Sequence, residues 1–231
     1  MYLFINGWAA DASVWESLHP GEDCRFLEFS AGLEPGGVVW EAAALAAEHG
    51  PLEVIGWSMG GMLALELAAQ APELVARLTL IDSTARFTAA ADYAGGLPRA
   101  IVRQLARRVK RDAVRAQLDF YRQMFSPEES TLAGAFCRRG AMVQDTAALL
   151  AGLAYLEEQD LRELLPRIAC QVRVIHGAED AVCPLAAGEY LAEHLPQSEL
   201  ICLPGCGHVP FYTQPALCRK LIWEGAASYG G

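Results

Sequence analysis

The chain has 231 residues, of which 53% are hydrophobic and 20% charged, a composition that favours one compact globular domain and excludes a disordered protein. Its net charge of −10 argues against nucleic-acid binding, and no apolar run reaches the roughly 18 residues that a membrane-spanning helix needs. Seven cysteines, an odd number without regular spacing, predict free thiols and a cytoplasmic location.

Short apolar runs alternate along the chain with helical patterns. The predicted strands are Tyr2–Ile5, Arg25–Phe29, Leu52–Ile55, Leu78–Ile81, Val172–Ile175 and Leu200–Leu203. The predicted helices are Val38–His49, Met59–Gln70, Leu185–His194 and Pro215–Trp223. Strands that alternate with helices are typical of βαβ units, so the pattern predicts an α/β protein with a mostly parallel, doubly wound sheet.

One segment interrupts this alternation, because 85–160 contains no convincing strand and several helical patterns. Within it, Ser126-Pro127-Glu128-Glu129 predicts a helix start, with Ser at the N-cap, Pro at the first position and Glu at the third. The insertion is too long for a simple connection. We therefore expect a helical lid at 85–160 inserted in a core made of 1–84 and 161–231.

The pentapeptide Gly56-Trp57-Ser58-Met59-Gly60 reads G-x-S-x-G and joins a predicted strand to a predicted helix. A serine on such a sharp turn projects its hydroxyl outward, and the flanking glycines remove side chains that would collide there. The helix N-terminus behind it offers unpaired N–H groups to a developing negative charge. The motif predicts that Ser58 is a nucleophile.

A serine hydroxyl needs a base, and that base needs an acid to orient it. Asp180 and His208 follow the two last predicted strands, where the fold gathers active residues, and the order Ser58, Asp180, His208 is that of α/β-hydrolases. Two alternatives stay open. His176 also stands at a strand end and competes as the base, while Asp82, after the strand that follows the serine helix, competes as the acid.

The remaining site residues are expected in the loops after the first and third predicted strands and in the predicted lid. The backbone N–H groups of Met59 and Trp8 would form the oxyanion hole. The aromatic residues expected to contact substrate are Trp8, Trp57, Phe120 and Phe125. Cys202, Cys206 and His208 lack the spacing of a metal site, and no G-x-G-x-x-G follows the first strand, so we expect neither a metal nor a cofactor.

Several motifs together resemble the α/β-hydrolases. They are Phe4-Ile5-Asn6-Gly7-Trp8 with Trp15, the serine turn with Gly61, His176-Gly177-Ala178-Glu179-Asp180 and Gly207-His208-Val209-Pro210-Phe211. Within these enzymes the chain is most similar to the pimeloyl-acyl-carrier-protein methyl ester esterases of biotin synthesis. Asn6 departs from the family, which usually has His there, and the usual antiparallel first strands are absent. We expect Asn6 to hydrogen-bond the oxyanion loop in place of that His.

The predicted lid is basic in an otherwise acidic chain, with eleven Arg and Lys against five Asp and Glu between Arg86 and Arg139. Arg99, Arg103, Arg107 and Arg111 recur every fourth residue, which puts them on one helix face without an acidic residue three or four positions away. Leu97, Ile101, Leu105 and Val109 would turn the opposite face toward the pocket. The same stripe could equally be a solvated helix face.

The resemblance implies a serine esterase that hydrolyses the methyl ester of pimeloyl-acyl-carrier protein. Arginines suit the carboxylates and phosphate of such a carrier, so the expected contacts are Arg99, Arg103, Arg107, Arg111, Arg138 and Arg139. We expect a monomer. Two other functions stay open: a hydrolase of free small esters, lactones or carbon–carbon bonds, and a catalytically silent binding protein with the same fold.

Overall fold

The computed structural model of the protein describes residues 1–27, 35–139 and 145–223. Its strands are β1 Tyr2–Ile5, β2 Cys24–Leu27, β3 Leu52–Trp57, β4 Val75–Ile81, β5 Gln171–Gly177 and β6 Ser198–Leu203. They form one sheet in the order β2-β1-β3-β4-β5-β6, and every neighbouring pair is parallel. The predicted doubly wound parallel sheet is confirmed, although residues 28 and 29 of the second predicted strand lie outside the described residues.

Nine α-helices lie within the described ranges. They are α1 Pro35–His49, α2 Met59–Gln70, α3 Arg99–Arg111, α4 Ala113–Gln123, α5 Ala133–Arg139, α6 Thr146–Glu158, α7 Leu185–His194, α8 Pro210–Thr213 and α9 Pro215–Trp223. Short 3₁₀ helices cover Ala12–Leu18, Pro72–Leu74 and Arg162–Arg167. In the described part of the chain, no helix is long and apolar enough to cross a membrane.

The centre of the molecule is built from β1, β3 and α2. The inner strands are buried along nearly their whole length, as expected for a parallel sheet covered on both faces. Helix α2 packs on β3 and β4, and every residue from Met59 to Ala69 is buried. A helix that is apolar on nearly every face belongs in the interior, and its one acidic residue, Glu66, accepts a hydrogen bond from the Tyr155 hydroxyl at 2.9 Å. The serine turn therefore stands on the most deeply buried helix of the fold.

Helices α3 to α6 fill the insertion between β4 and β5. The insertion leaves and re-enters the core at neighbouring points, where the Leu161 N–H donates to the Ala85 carbonyl oxygen at 2.8 Å. Next to this bond, Asp160 accepts hydrogen bonds from both Arg86 and Arg162. These guanidinium groups lower the pKa of Asp160 to about 2, so the carboxylate stays ionised.

The predicted helix start at Ser126 is wrong. The reciprocal bonds of a capping box do form, since the Glu129 N–H donates to Ser126 Oγ at 3.3 Å and the Ser126 N–H donates to Glu129 Oε2 at 3.0 Å. The residues that follow nevertheless make successive turns, and the next helix begins at Ala133. The buried Glu129 carboxylate also accepts from the Gly207 N–H at 2.8 Å, so this turn is shaped by a long-range contact.

Candidate active site

Three sequence-predicted residues meet at the carboxyl edge of the sheet. Ser58 follows β3, Asp180 comes three residues after β5, and His208 lies in the loop after β6. Parallel strands end at the same edge, so loops that are far apart in sequence become neighbours there. This edge is also where the apolar pocket described below opens.

The turn at Ser58 is sharp and strained. Ser58 has φ +55°, a backbone region that residues other than glycine seldom adopt. The close approach of β1 explains one of the flanking glycines, because a Cβ on Gly60 would lie 2.1 Å from the Ile5 carbonyl oxygen. Ser58 lines the pocket described below, and its Oγ lies beside the ring of His208.

The Ser58, His208 and Asp180 side chains form one hydrogen-bonded series. Ser58 Oγ lies 2.9 Å from His208 Nε2, and His208 Nδ1 lies 2.7 Å from Asp180 Oδ2. A carboxylate can only accept, so Nδ1 carries the proton and the neutral ring leaves Nε2 free to accept from the serine. This arrangement allows the ring to take the hydroxyl proton.

Each member of the series is held by its backbone surroundings. Asp180 Oδ1 accepts from the N–H groups of Val182 at 2.7 Å and Cys183 at 3.0 Å, which fixes the carboxylate plane. The His208 N–H donates to the Met124 carbonyl at 2.6 Å, and the Trp57 indole donates to the His208 carbonyl at 2.8 Å. The histidine loop therefore depends on contacts from both the sheet and the insertion.

The two alternative residues lie behind this series. His176 is completely buried, and its Nε2 donates to the Cys183 carbonyl at 2.7 Å instead of facing Ser58. Burial lowers its pKa, so the ring stays neutral. Asp82 is also fully buried, and its Oδ1 accepts from the Gly177 N–H at 2.8 Å. The geometry favours His208 as the base and Asp180 as the acid.

The predicted oxyanion donors lie beside Ser58. Within the described residues, neither the Trp8 nor the Met59 amide N–H donates to a backbone acceptor, which leaves both available to a ligand. The Trp8 ring is fixed by its indole N–H, which donates to the Leu149 carbonyl of α6 at 2.8 Å. Asn6 does not bond this loop as expected, because its Oδ1 accepts from the Trp15 indole at 2.6 Å.

A largely apolar pocket of about 280 Å³ opens in front of Ser58. Trp8 and Phe120, two of the residues expected to contact substrate, line it with their rings in edge-to-face contact at 4.9 Å. The prediction is wrong for Trp57 and Phe125, which do not line it. Trp57 is fully buried against other core aromatic rings, and Phe125 packs on Phe136 within the insertion. Both serve packing because their backbone positions turn their rings away from the cavity.

Several pocket residues were missed. They are Phe87, Val102, Leu153, Leu156, Ala181 and Val182, with the polar Gln104, Arg108 and Gln123, whereas Leu97, Ile101 and Leu105 of the expected pocket-facing row do line it and Val109 does not. The spacing of Leu149, Leu153 and Leu156 on α6 is that of an apolar helix face and could have identified part of this wall. Gln104 and Arg108 also line a recess on the outer surface, so the pocket and this recess adjoin at these two side chains.

The basic stripe on α3 is only partly as predicted. Arg103 pairs with Glu157 of α6 at 2.6 Å, and Arg99 lies 4.0 Å from the same carboxylate. In the described ranges, no carboxylate lies within 4 Å of Arg107, Arg111 or Arg138. Arg139 ends α5, and its side chain lies outside the described residues. The expectation of four unpaired arginines is therefore wrong for Arg99 and Arg103.

Gly152 offers a test of how Trp8 is positioned. A methyl group at Gly152 would lie 2.6 Å from Trp8 Cδ1 and 3.4 Å from Met59 Sδ, so the indole must move. We expect Gly152→Ala to lower kcat for a short nitrophenyl ester roughly 10- to 100-fold, because displaced oxyanion donors no longer match the transition state. Gly134→Ala is the matched control, since its added Cβ meets only Arg138 Nη1 at 3.6 Å. Unchanged kcat in Gly152→Ala would mean that Trp8 does not hold the loop.

Comparison with known proteins gives one family and a consistent set of relatives. The profile of the alpha/beta hydrolase family matches residues 2–221. The pimeloyl-[acyl-carrier protein] methyl ester esterase of Nitrosomonas europaea is 30% identical, covering 92% of this chain and 90% of its own. The enzyme of the same name from Aromatoleum aromaticum is 32% identical and covers 95% of both chains.

Solved structures agree on the fold. An esterase from Exiguobacterium antarcticum superposes with a TM-score of 0.84 at 21% identity, covering 96% of this chain and 89% of its own. A bromoperoxidase from Bacillus anthracis reaches a TM-score of 0.85 at 17% identity, with the same coverage of 96% and 89%. At such identities the likeness concerns the arrangement of strands and helices.

Proposed function

We propose that this chain, which belongs to the alpha/beta hydrolase family, is a serine carboxylesterase. The observation that carries the proposal is the series from Ser58 Oγ through the His208 ring to Asp180, with both links under 3 Å and the serine lining an apolar pocket. Nucleophile, base and orienting acid are the three groups that ester hydrolysis through an acyl-enzyme requires.

In the first half-reaction Ser58 Oγ attacks the ester carbonyl while its proton moves to His208 Nε2. Asp180 stabilises the imidazolium that forms, and the Trp8 and Met59 amides bind the oxyanion. The tetrahedral intermediate then collapses, the carbon–oxygen bond to the alcohol breaks, and the imidazolium gives its proton to the departing oxygen. An alcohol leaves and the acyl group remains on Ser58.

In the second half-reaction water takes the place of the alcohol. His208 accepts a proton from the water as its oxygen attacks the acyl carbon, and the same donors bind the second oxyanion. When the bond to Ser58 breaks, the imidazolium returns a proton to the serine oxygen, and the acid product leaves. The residues named here perform every proton transfer in this scheme.

The proposed substrate is the methyl ester of a pimeloyl group carried by acyl-carrier protein. Relatives about 30% identical over most of the chain carry that activity in their names. The pocket agrees with it, because its apolar walls suit a methylene chain with the ester at Ser58. Gln104 and Arg108 line both the pocket and the outer recess, so the other end of the chain can leave toward the surface.

The basic surface around that exit supports a carrier-protein partner. Arg107 and Arg111 line the outer recess together with Arg108, and the carboxylate of Asp119 is shared by Arg108, Arg115 and Arg122. Carrier proteins present carboxylates and a phosphate-linked arm, the groups that arginine binds best. In this proposal, 85–160 is the lid that holds both the pocket wall and the docking surface.

A paired assay tests the substrate. The wild-type chain is given a short nitrophenyl ester and the methylated pimeloyl-carrier protein over a range of salt concentrations. We expect kcat/KM for the carrier-bound ester to fall about tenfold or more between 0.05 and 0.5 M salt, on the order expected when exposed charges steer association. For the neutral nitrophenyl ester, kcat/KM should change little over the same range of salt.

Other outcomes separate the alternatives. Hydrolysis of free esters or lactones without activity on the carrier-bound ester would contradict the carrier-protein proposal and favour a small-molecule hydrolase. Failure on all esters, together with no labelling of Ser58 by a serine-directed phosphonate, would favour a catalytically silent protein. Labelling is read by mass spectrometry of the peptide that contains Ser58.

A further inference from the structure

A second carboxyl group stands directly behind the proposed acid. Asp82 follows β4 at the same sheet edge, is completely buried, and has φ +45°, in the left-handed region. Asp and Asn tolerate this backbone better than most residues, but a buried charge there would be costly. The scheme proposed above gives Asp82 no role, so its place beside the site needs an explanation.

The contacts of Asp82 leave one oxygen unaccounted for. Oδ1 accepts from the Gly177 N–H at 2.8 Å, whereas the buried Oδ2 has no conventional partner among the described residues. Oxygens of Asp82 and Asp180 and a ring nitrogen of His176 lie within 4.8 Å of one another. Asp82 is thus a buried carboxyl group with an unpartnered Oδ2, and one of its oxygens lies within 4.8 Å of an Asp180 oxygen.

Two buried carboxyl groups at this separation share one charge, because two negative charges so close repel strongly in a medium of low polarity. Counting donors decides which group is ionised. Asp180 accepts from the Val182 and Cys183 amides and from the His208 ring, while Asp82 accepts from the Gly177 amide. Three donors favour a carboxylate at Asp180, so the proton resides on Asp82.

We propose that Asp82 is a positioning residue that holds the Asp180 carboxylate through a carboxyl–carboxylate hydrogen bond. This inference rests on the proposed function, since its purpose is to keep Asp180 aimed at His208. The bond restrains rotation of Asp180 from the side opposite the Val182 and Cys183 amides. The same bond disperses the negative charge of Asp180 and makes this carboxylate less basic. The proton between Asp180 and His208 therefore stays on Nδ1 of the His208 ring.

The electrostatic surroundings agree with a neutral Asp82. Burial, followed by the charge of Asp180, raises the pKa of Asp82 well above its usual range. The titratable groups that surround this pair of carboxyls are Glu129, His176, Cys183, Cys206, His208 and Cys218. His176 is neutral because burial lowers its pKa, so it does not compensate a second negative charge.

Thermal unfolding of Asp82→Asn tests the protonation state without any substrate. If the pKa of Asp82 is raised in the folded state, the protonated carboxyl stabilises the wild-type fold. That contribution is fully present below about pH 4 and is lost as the pH rises through the raised pKa. Asn has no such loss and keeps the Gly177 contact. We therefore expect the Tm of Asp82→Asn relative to wild type to increase between pH 4 and 8, by roughly 3 °C or more. A relative Tm that falls with pH would mean that Asp82 is ionised and would overturn the inference.

A matched pair of variants tests the role in catalysis. Asp82→Asn keeps a donor toward Asp180, whereas Asp82→Gly accepts φ +45° without strain but removes the donor. We expect Asp82→Gly to lower kcat between about 10- and 100-fold with little change in KM. Asp82→Asn should keep most of the wild-type kcat. The acid limb of the kcat/KM profile should move to higher pH in Asp82→Gly, because the undispersed charge of Asp180 stabilises imidazolium more strongly.

The outcomes distinguish this inference from the proposed function. If Asp82→Asn moves the acid limb to lower pH, a negative charge has been removed and Asp82 was ionised, which contradicts the inference. Equal loss of kcat in both variants would also contradict it. If Asp82→Gly does not fold, the acid limb of the kcat/KM profile and the Tm profile of Asp82→Asn still show whether Asp82 is protonated. A wild-type chain without esterase activity would contradict the proposed function, and the Tm profile would still test whether Asp82 is protonated, as the inference requires.

Discussion

Replacing Ser58 with alanine should reduce ester hydrolysis by at least about 10⁴-fold, and His208→Ala should cause a loss of similar size. The two side chains are joined by a 2.9 Å hydrogen bond and act in one proton transfer. The double variant should therefore be no worse than either single variant, because removal of one partner already disables the unit. The measurement is kcat for a short nitrophenyl ester, with Tm as the check on folding.

Two variants outside the site serve as controls. Ser17 is a partly buried serine that donates to the Phe211 carbonyl at 2.9 Å, and His194 is an exposed histidine stacked on Tyr190. Ser17→Ala and His194→Ala should keep normal kcat. Near-normal turnover in Ser58→Ala would instead require another nucleophile and would remove the basis of the proposed mechanism.

Charge reversal at Arg107 and Arg111 should lower kcat/KM for the carrier-bound ester by roughly an order of magnitude or more. These two exposed side chains line the recess outside the pocket and have no carboxylate within 4 Å in the described part of the chain. Their charges are therefore available to an acidic partner. Hydrolysis of a short free ester by Arg107→Glu/Arg111→Glu should stay near normal, since neither residue lines the pocket.

The matched control lies on the same helix. Arg99 and Arg103 are already engaged by Glu157, so Arg99→Gln/Arg103→Gln should affect the carrier-bound ester much less. Equal loss on both substrates in the Arg107/Arg111 variant would indicate a misfolded insertion. No loss on either substrate would mean that this face is merely solvated, and Arg138 would then be tested in the same two assays.

Much of the fold could be predicted from the sequence because its signals are local. Helices α2, α7 and α9 begin and end at the predicted residues, and all six predicted strands correspond to observed ones. The family resemblance and the expectation of a hydrolase are confirmed by the match over residues 2–221. The predicted helix start at Ser126 was wrong because the Glu129 carboxylate accepts from the Gly207 amide, which holds this segment in a turn. The two residues are 78 positions apart, so the local sequence carried no sign of the contact.

In the candidate site, too, the residues in local motifs could be predicted, whereas those that depend on packing could not. Ser58, Asp180 and His208 were identifiable because each stands in a short motif at a strand end, and the structure brings them together; their roles stay predictions. The pocket was harder, because a ring's direction depends on packing, as the burial of Trp57 and Phe125 illustrates. Spacing on α3 likewise gave no sign of Glu157, whose contact with Arg103 comes from the packing of α6 on α3.

The bond between Leu161 and Ala85 has a consequence for how this architecture can diversify. Strands β4 and β5 pair directly from Arg77↔Gln171 to Ile81↔Ile175, so their register is complete without the helices inserted between them. A segment whose two ends already meet can lengthen, shorten or be exchanged at a modest entropic cost, which grows only slowly with its length. Substrate preference can therefore be changed in the insertion of a chimeric enzyme while the turns of Ser58 and Asp180 keep their geometry, provided that the exchanged segment keeps the Met124 carbonyl and Glu129 carboxylate contacts to the His208 loop.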